Sequence, residues 1–188
     1  VKLFFWLTLL LRKIELLKTV TVEDWLKVIW SDEANFEVVN HKGRIYVKRF
    51  TTKKYSERFL QPHWQGGGGS IGIWGCFSHK GIGMCELYEG RINQYTYKNT
   101  LETCLIPSIR QLYGRSKQFI FQQDGAPAHT AKSIKEYFLQ KKINVIPWCP
   151  RSPDLNPIEN IWSWIDNQLT YHQIQSTEHL KQLLNEYW

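Results

Sequence analysis

Three acidic residues stand where a metal-dependent nuclease needs them. Asp32 and Asp124 each follow an apolar, strand-like run, and Glu159 lies in the first turn of a predicted helix. Thirty-four residues separate Asp124 from Glu159. Phosphodiester chemistry on two Mg²⁺ ions needs about three carboxylates that converge from distant parts of a rigid fold. These residue types and positions therefore indicate a divalent-metal site for phosphoryl transfer.

Asp32 and Asp124 each have a structural alternative. Asp124 precedes Gly125, and the Asp-Gly dipeptide is typical of turns, although α/β folds also place their sites at strand ends. Asp32 is followed by residues 33–35, which suit a hairpin turn. Glu33 is a rival acid, but on an extended backbone it points to the opposite face from Asp32.

Glu159 is compatible with two roles. Asn156 suits a helix N-cap and Pro157 the first helical position, so Glu159 stands where a capping box would place it. It also lies at the margin of the apolar stripe of this helix, where a metal ligand aimed into a cleft would stand. The stripe consists of Leu155, Ile158, Trp162, Ile165 and Leu169.

Two polar residues accompany these acids. His129 follows Asp124 by five residues, where it could orient a metal ligand or simply cap a helix. Asn160 adjoins Glu159 and has the same two interpretations, as an outer neighbour of the site or as a solvated side chain. No Ser-His-Asp or Cys-His arrangement stands out.

Short apolar runs bounded by turn residues predict the elements that carry the acids. Strands are expected at residues 28–30, 36–39, 44–47, 71–76, 84–88, 119–121 and 143–146. Helices are expected at residues 99–112, with Pro107 as an interruption, and at 131–142 and 157–169. Residues 71–76 and 84–88 look like a hairpin inserted into the domain after the glycine-rich segment 66–70. The whole pattern predicts an α/β fold with a sheet of mixed strand direction.

Composition limits the class of protein. The chain has 188 residues, 43% of them hydrophobic and 14% aromatic, which fits one packed domain. Its formal net charge of +7 favours a polyanionic partner. The four cysteines form no Cys-x-x-Cys pair, which argues against a zinc site and for free thiols in a reducing compartment. The apolar run at residues 3–11 is too short to span a bilayer, which takes about 20 residues.

Several segments resemble the Tc branch of the Tc/mariner superfamily of DNA transposases. They are residues 30–33, 67–70, 74–77, 123–130 and 152–162. The likeness runs from about Val22 to the C-terminus, and its last two segments are highly specific. It implies a catalytic domain at residues 22–188, preceded by an N-terminal segment, residues 1–21, to which no structure is assigned.

The resemblance implies a ribonuclease-H-like fold, in which helices flank a mixed five-stranded sheet. A glycine-rich hairpin at about 62–90 corresponds to the clamp loop, which contacts a partner subunit and so implies a homodimer. Asp32 and Asp124 on the sheet and Glu159 on a helix are the implied catalytic residues and ligands of two Mg²⁺ or Mn²⁺ ions. The implied activity is metal-dependent cleavage of DNA and strand transfer into target DNA at TA sites, in the nucleus and without a membrane partner.

Basic residues are the expected contacts to double-stranded DNA, both element ends and target. The candidates are Lys42, Arg44, Lys48, Arg49, Lys53, Lys54, Lys132, Lys135 and Arg151. A lysine-rich strand edge that resists aggregation explains the cluster between residues 42 and 58 equally well.

The chain departs from the family in two ways. Gly125 stands where Asn is common, and no helix-turn-helix modules precede the catalytic segments. The chain is therefore expected to be a catalytic-domain fragment or a decayed copy, without specificity for terminal repeats by itself. Two alternatives to an active transposase remain on the sequence. One is a catalytically silent, transposase-derived DNA-binding or interaction protein, and the other is a ribonuclease-H-like nuclease of RNA–DNA hybrids.

Overall fold

A mixed four-stranded sheet carries the candidate residues. The computed structural model describes residues 13, 20–38, 69–116, 118–150 and 152–188. Within them the strand order is β3-β2-β1-β4. The strands are β1 Val28–Glu37, β2 Ser70–Ser78, β3 Gly81–Tyr88 and β4 Ile120–Phe121. β1 pairs antiparallel with β2 and parallel with β4, so the predicted mixed α/β class is confirmed.

β1 is longer than the sequence predicts. The expected break at residues 33–35 and the separate strand at 36–39 are wrong, because β1 continues unbroken to Glu37. Its second half stays paired with β2, from Glu33 opposite Trp74 to Glu37 opposite Ser70. This cross-strand pairing overrides the turn preference of a short polar run. The strand expected at 44–47 lies outside the described residues.

The hairpin of β2 and β3 belongs to the sheet itself. β2 pairs with β1 from Ser70 to Phe77 and with β3 on its other side, so residues 70–88 contribute two strands to the sheet. The two strands are joined at His79 and Lys80, a shorter connection than the expected loop at 79–83. Residues 62–68 of the predicted clamp loop lie outside the described part of the chain.

The fifth strand is reduced to one bridge. Val145 pairs with Phe121 in parallel, as an isolated β-bridge. Two backbone hydrogen bonds flank it, from Phe121 N to Asn144 O at 2.7 Å and from Ile146 N to Phe121 O at 2.9 Å. The described residues thus contain four strands and this bridge where five strands were expected.

Helices cover both faces of the sheet. They are α1 Val22–Trp25, α2 Gln94–Thr100, α3 Ile106–Tyr113, α4 Pro127–Thr130, α5 Lys132–Lys141, α6 Ile158–Leu169 and α7 Thr177–Tyr187. A 3₁₀ turn, Pro153–Leu155, precedes α6. No helix in the described part of the chain is long and apolar enough to span a membrane.

Pro107 does not end the helix in which it lies. A π-helical turn, Leu101–Leu105, joins α2 to α3 directly, and Ile106 N donates to Leu101 O. Proline lacks an N–H group, and its ring clashes with the carbonyl group four residues earlier in an α-helix. The wider π turn just before Pro107 accommodates the ring, so the predicted interruption becomes a bulge.

Alternation along the strands assigns the acids to opposite faces. Ile29 packs with Trp74 and Tyr97 in one core, whereas Phe36 packs with Ile158 of α6 in the other. Residues of equal parity on a strand share a face, so Asp32 faces the side of α6 and Glu33 faces the side of α2. This arrangement agrees with the expectation that the two acids point apart.

Candidate active site

Asp32 lies on β1, and Asp124 lies three residues after the end of the neighbouring strand β4. Ile29 of β1 pairs with Phe121 of β4 in parallel register, and each aspartate follows its paired residue by three positions. Parallel strands keep residues at equal offsets side by side. The register therefore starts the segments that lead to Asp32 and Asp124 from paired positions, and the two carboxylates line one cleft.

Gln122 and Ser31 extend this pairing beyond the end of β4. The Gln122 side chain is fully buried, and its Oε1 accepts a hydrogen bond from Ser31 N at 3.1 Å. Ser31 Oγ donates to Gln122 O at 2.8 Å. The sequence reasoning missed both residues, because only the strand register reveals that they meet.

Asn156 connects the Glu159 helix to β1. Its Nδ2 donates to Ser31 O at 3.1 Å and to Asp32 Oδ2 at 3.3 Å, while its Oδ1 accepts from Ile158 N at 3.3 Å. One buried amide thus caps α6 and contacts Asp32. The sequence identified Asn156 as a cap but not as a neighbour of Asp32.

The structure excludes the capping-box role for Glu159. A capping box requires the backbone N–H of Asn156 to bond to the Glu159 carboxylate. That N–H donates instead to Pro153 O at 2.9 Å. Because the Glu159 carboxylate accepts no hydrogen bond from the described residues, it is available to a ligand.

Two adjoining clefts contain the carboxylates. Asp32 and Asp124 line a cavity of about 530 Å³, and Glu159 lines another of about 390 Å³ beside Trp25 and Trp30. Asn156 and Pro153 line both cavities and lie between them. The three acids therefore reach one region of the surface from β1, the end of β4 and α6.

The electrostatics of Asp32 show that this region concentrates negative charge. Burial raises the pKa of Asp32 to about 7, and repulsion from Glu33, Asp124 and Glu159 adds to the increase. The hydrogen bond from Glu33 N to Asp32 Oδ1, at 2.8 Å, acts in the opposite direction. A cation bound near Asp32 would relieve both the burial cost and the repulsion.

The donor set fits a hard divalent cation in chemistry and charge. Mg²⁺ prefers oxygen ligands and binds through one or two carboxylates plus waters. Asp32 and Asp124 supply such oxygens in one cleft, and Glu159 supplies another in the adjoining cleft. Within the described residues, no three Asp, Glu, His or Cys side chains are close enough to hold one ion together. The role of the three carboxylates as ligands therefore stays a prediction.

His129 contacts two acids. Its Nδ1 lies 2.6 Å from Asp124 Oδ1, and its Nε2 lies 3.3 Å from Glu33 Oε1. Burial by itself lowers the pKa of His129, but the contacts with Asp124 and Glu33 outweigh burial and raise it to about 9. Burial raises the pKa of Asp124, while His129 and the Ala126 N–H lower it, and the net shift is downward.

Only some of the remaining predicted site residues lie in the described part of the chain. Lys132 and Lys135 are exposed on α5, and Lys132 lies 3.8 Å from Glu136 one helical turn later. Asn160 lines the cleft of Glu159. The other basic candidates lie outside the described residues and stay predictions. They are Lys42, Arg44, Lys48, Arg49, Lys53, Lys54 and Arg151.

Comparison with known families identifies the class of protein. The sequence model of the family described as DDE superfamily endonuclease matches residues 27–181, which is most of the chain. The chain therefore belongs to this family. The matched segment includes all three candidate acids.

Curated relatives are transposases of nematode elements. The chain is 35% identical over 147 residues to the Tc1 transposase of Caenorhabditis elegans, covering 78% of this chain and 53% of the relative. It is 38% identical over 155 residues to the Tc3 transposase of the same species, covering 81% of this chain and 45% of the relative. The resemblance to the Tc branch is thus confirmed, and the chain spans about half the length of these relatives.

Solved structures match the fold. The catalytic domain of Mos1 mariner transposase superposes with a TM-score of 0.67 at 20% identity, covering 93% of this chain and 76% of that one. The Mos1 paired-end complex with Mn gives a TM-score of 0.72 at 21% identity, covering 93% of this chain and 52% of that one. At this level of identity the likeness establishes the fold alone.

Proposed function

We propose that this chain is the catalytic part of a cut-and-paste DNA transposase. The observation that carries the proposal is the one cleft that Asp32 and Asp124 both line, three residues beyond the pairing of β1 with β4. Repulsion from Glu159 contributes to the raised pKa of Asp32. Membership of the DDE endonuclease family and the Tc relatives support it. The proposed activity is metal-dependent cleavage of a DNA strand, followed by transfer of that strand into target DNA at TA sites.

Asp32, Asp124 and Glu159 would hold two Mg²⁺ or Mn²⁺ ions. When bound, such ions supply positive charge and Lewis acidity at the phosphate. The Mos1 paired-end complex with Mn and the Mos1 catalytic domain with Raltegravir and Mg support a divalent metal for this fold. The mutual repulsion of the acids makes the site favourable for a cation.

Residues around the acids would orient them for this task. Asn156 Nδ2 holds Asp32 Oδ2, and the Ala126 N–H and His129 hold Asp124 Oδ1. Each aspartate is thereby restrained on one side. Preorganised ligands lose little entropy when the substrate binds.

The same site would serve both steps of the reaction. Cleavage by water frees a 3′-hydroxyl group, and this hydroxyl group then attacks a phosphate of the target. Both steps are in-line displacements at phosphorus, so they require the same arrangement of charge. No covalent intermediate between protein and DNA is needed.

The proposed partners are double-stranded DNA and a second copy of the chain. Lys132 and Lys135, exposed on α5, are the described candidates for phosphate contacts. The Mos1 transposase paired-end complex with the left transposon end supports DNA as the partner of this fold. Dimer contact through the predicted clamp loop and a nuclear location belong to the same proposal.

Nicking of supercoiled plasmid in Mg²⁺ or Mn²⁺ tests the function directly. The chain is expected to nick the plasmid, and Asp124→Asn is expected to abolish nicking while its thermal unfolding stays cooperative. Asp166→Asn, at a half-buried position on α6, is the matched control and should retain activity. Undiminished nicking by Asp124→Asn would overturn the assignment. DNA binding by the unsubstituted chain without any nicking would favour the catalytically silent alternative, and preference for RNA–DNA hybrids the other nuclease.

A further inference from the structure

We propose that Glu33 is a positioning residue that acts on Asp124 through His129. The inference rests on the proposed function, because it concerns how Asp124 is presented to a metal ion. Glu33, His129 and Asp124 form a row in which the imidazole ring lies between two carboxylates, at 3.3 Å and 2.6 Å. The row joins β1 to the segment after β4 on the face of the sheet opposite Asp32.

The imidazole ring of His129 is held by Glu33, by Asp124 and by the ring of Tyr97. His129 is only 4% exposed, and its ring centroid lies 3.9 Å from that of Tyr97. Tyr97 is itself fixed, because its hydroxyl group donates to Gln123 Oε1 at 2.8 Å. Gln123 Nε2 in turn donates to His129 O at 3.1 Å. The ring therefore has little freedom to turn away from Asp124.

Glu33 has no other described role at this position. Its Oε1 is buried and accepts no aligned hydrogen bond within the described residues, so the contact with His129 Nε2 is one of charge. A buried carboxylate without a partner is costly. Because Glu33 faces away from Asp32, it does not share the cleft where the metal is proposed. The arrangement instead makes Glu33 the counter-charge of His129.

Glu33 and Asp124 face opposite nitrogens of the His129 ring. With a carboxylate at each nitrogen, the ring is held with Nδ1 directed at Asp124 and can donate from both nitrogens. The contact from Nδ1 and the hydrogen bond from Ala126 N both go to Asp124 Oδ1, so Oδ2 accepts no hydrogen bond from the described residues. Oδ2 is thus the oxygen available to a metal ion.

Removing the charge of Glu33 should loosen Asp124 without removing a residue that lines either cleft. Outer residues that orient a metal ligand typically contribute about 10–100-fold in metal affinity. We expect Glu33→Gln to weaken Mn²⁺ binding to the full chain within that range. Glu37→Gln is the matched control, since Glu37 is exposed at the end of the same strand. Glu33→Asp keeps the charge at a longer distance from His129 and should give an intermediate affinity.

A double-mutant cycle separates action through His129 from a general structural effect. If Glu33 acts through the ring, Glu33→Gln should change Mn²⁺ affinity little in a chain that already carries His129→Asn. Mn²⁺ affinity is measured by electron paramagnetic resonance, and thermal unfolding checks that each variant is folded. Equal Mn²⁺ affinity of Glu33→Gln and the unsubstituted chain would overturn the proposal, as would additive effects of the two substitutions.

Proton NMR of the metal-free chain provides a readout that requires no metal. The Nδ1–H of His129, bonded to Asp124 at 2.6 Å, should give a strongly downfield signal that is lost or displaced in Glu33→Gln and kept in Glu37→Gln. An unchanged signal in Glu33→Gln contradicts the positioning role. If the signal behaves as expected but the unsubstituted chain binds no Mn²⁺, the proposed function fails and the row of three residues stands.

Discussion

Asn156 Nδ2 lies 3.3 Å from Asp32 Oδ2 and 3.1 Å from Ser31 O. The same side chain accepts from Ile158 N at the start of α6, so one amide couples the strand of Asp32 to the helix of Glu159. These two acids come from segments more than 120 residues apart, and Asn156 is a direct link between them. Their relative position therefore depends on a residue that is not itself acidic.

Asn156→Ala should weaken both the fold and the activity. The substitution leaves Ser31 O and Ile158 N without a side-chain partner, and buried unpaired groups cost about 1–3 kcal/mol each. We expect a lower free energy of unfolding in urea and reduced nicking. Asn167→Ala, at an exposed position on α6, is the control. Wild-type stability and activity in Asn156→Ala would show that the link is not used.

Asp32 should make the metal-free protein less stable as the pH rises. Its pKa is raised from 3.8 to about 7, so the folded chain holds a proton that the unfolded chain has already lost. Its contribution to stability therefore falls from about pH 4 to about pH 7 and is constant above that range. Asp32→Asn removes this dependence, and its free energy of unfolding relative to wild type should increase between pH 5 and pH 8. A difference that stays constant with pH, measured with a chelator present, would contradict the pKa shift.

His129 should also make the protein less stable as the pH rises, but over a higher pH range than Asp32. Its pKa is raised from 6.5 to about 9, so the charged ring stabilises the fold fully below pH 6.5, and this stabilisation is lost as the pH rises through 9. His129→Gln should therefore lower the melting temperature at pH 6 by more than at pH 10. Thermal unfolding at the two pH values measures the effect. An equal loss at both would mean that packing against Tyr97, and not charge, is what the ring contributes.

Gln122 should matter for stability although it carries no charge. Gln122→Leu leaves the buried Ser31 N–H without its acceptor, which costs about 1–3 kcal/mol. Gln122→Glu keeps an oxygen at that place and should spare the bond to Ser31, but it adds a negative charge beside Asp32 and Asp124. Urea unfolding of the Leu variant in 1 mM chelator is the measurement of choice. A Leu variant as stable as wild type would show that the contact with Ser31 contributes nothing.

Local sequence patterns predicted the bounds of a helix better than the extent of a strand that depends on distant pairing. The helix carrying Glu159 is found at Ile158–Leu169 against an expected 157–169, because a strong apolar stripe and an Asn-Pro start define it. By contrast, the polar residues 33–35 resemble a turn and lie within β1. That outcome depends on pairing with β2, which lies more than 35 residues away in the sequence and which no local pattern encodes.

In the candidate site, too, the sequence predicted some features and not others. Sequence reasoning singled out Asp32, Asp124 and Glu159 by residue type and by their places at element ends. It did not foresee that Asn156 contacts Asp32 or that Glu33 meets His129. These contacts join residues far apart in the chain, and they follow from sheet register and helix docking. Polar residues that support a site have no spacing rule of their own, so only the fold reveals them.

A crystal soaked in Mn²⁺ would show where divalent ions bind. Anomalous scattering locates the ions without reference to activity. We expect Mn²⁺ in the cleft between Asp32 and Asp124, bound by carboxylate oxygens of both, with Glu159 binding one of a pair of ions about 3.5–4 Å apart. Absence of Mn²⁺ from this cleft at saturating concentration, or ions bound only by other residues, would contradict the claim that these three carboxylates form one metal site.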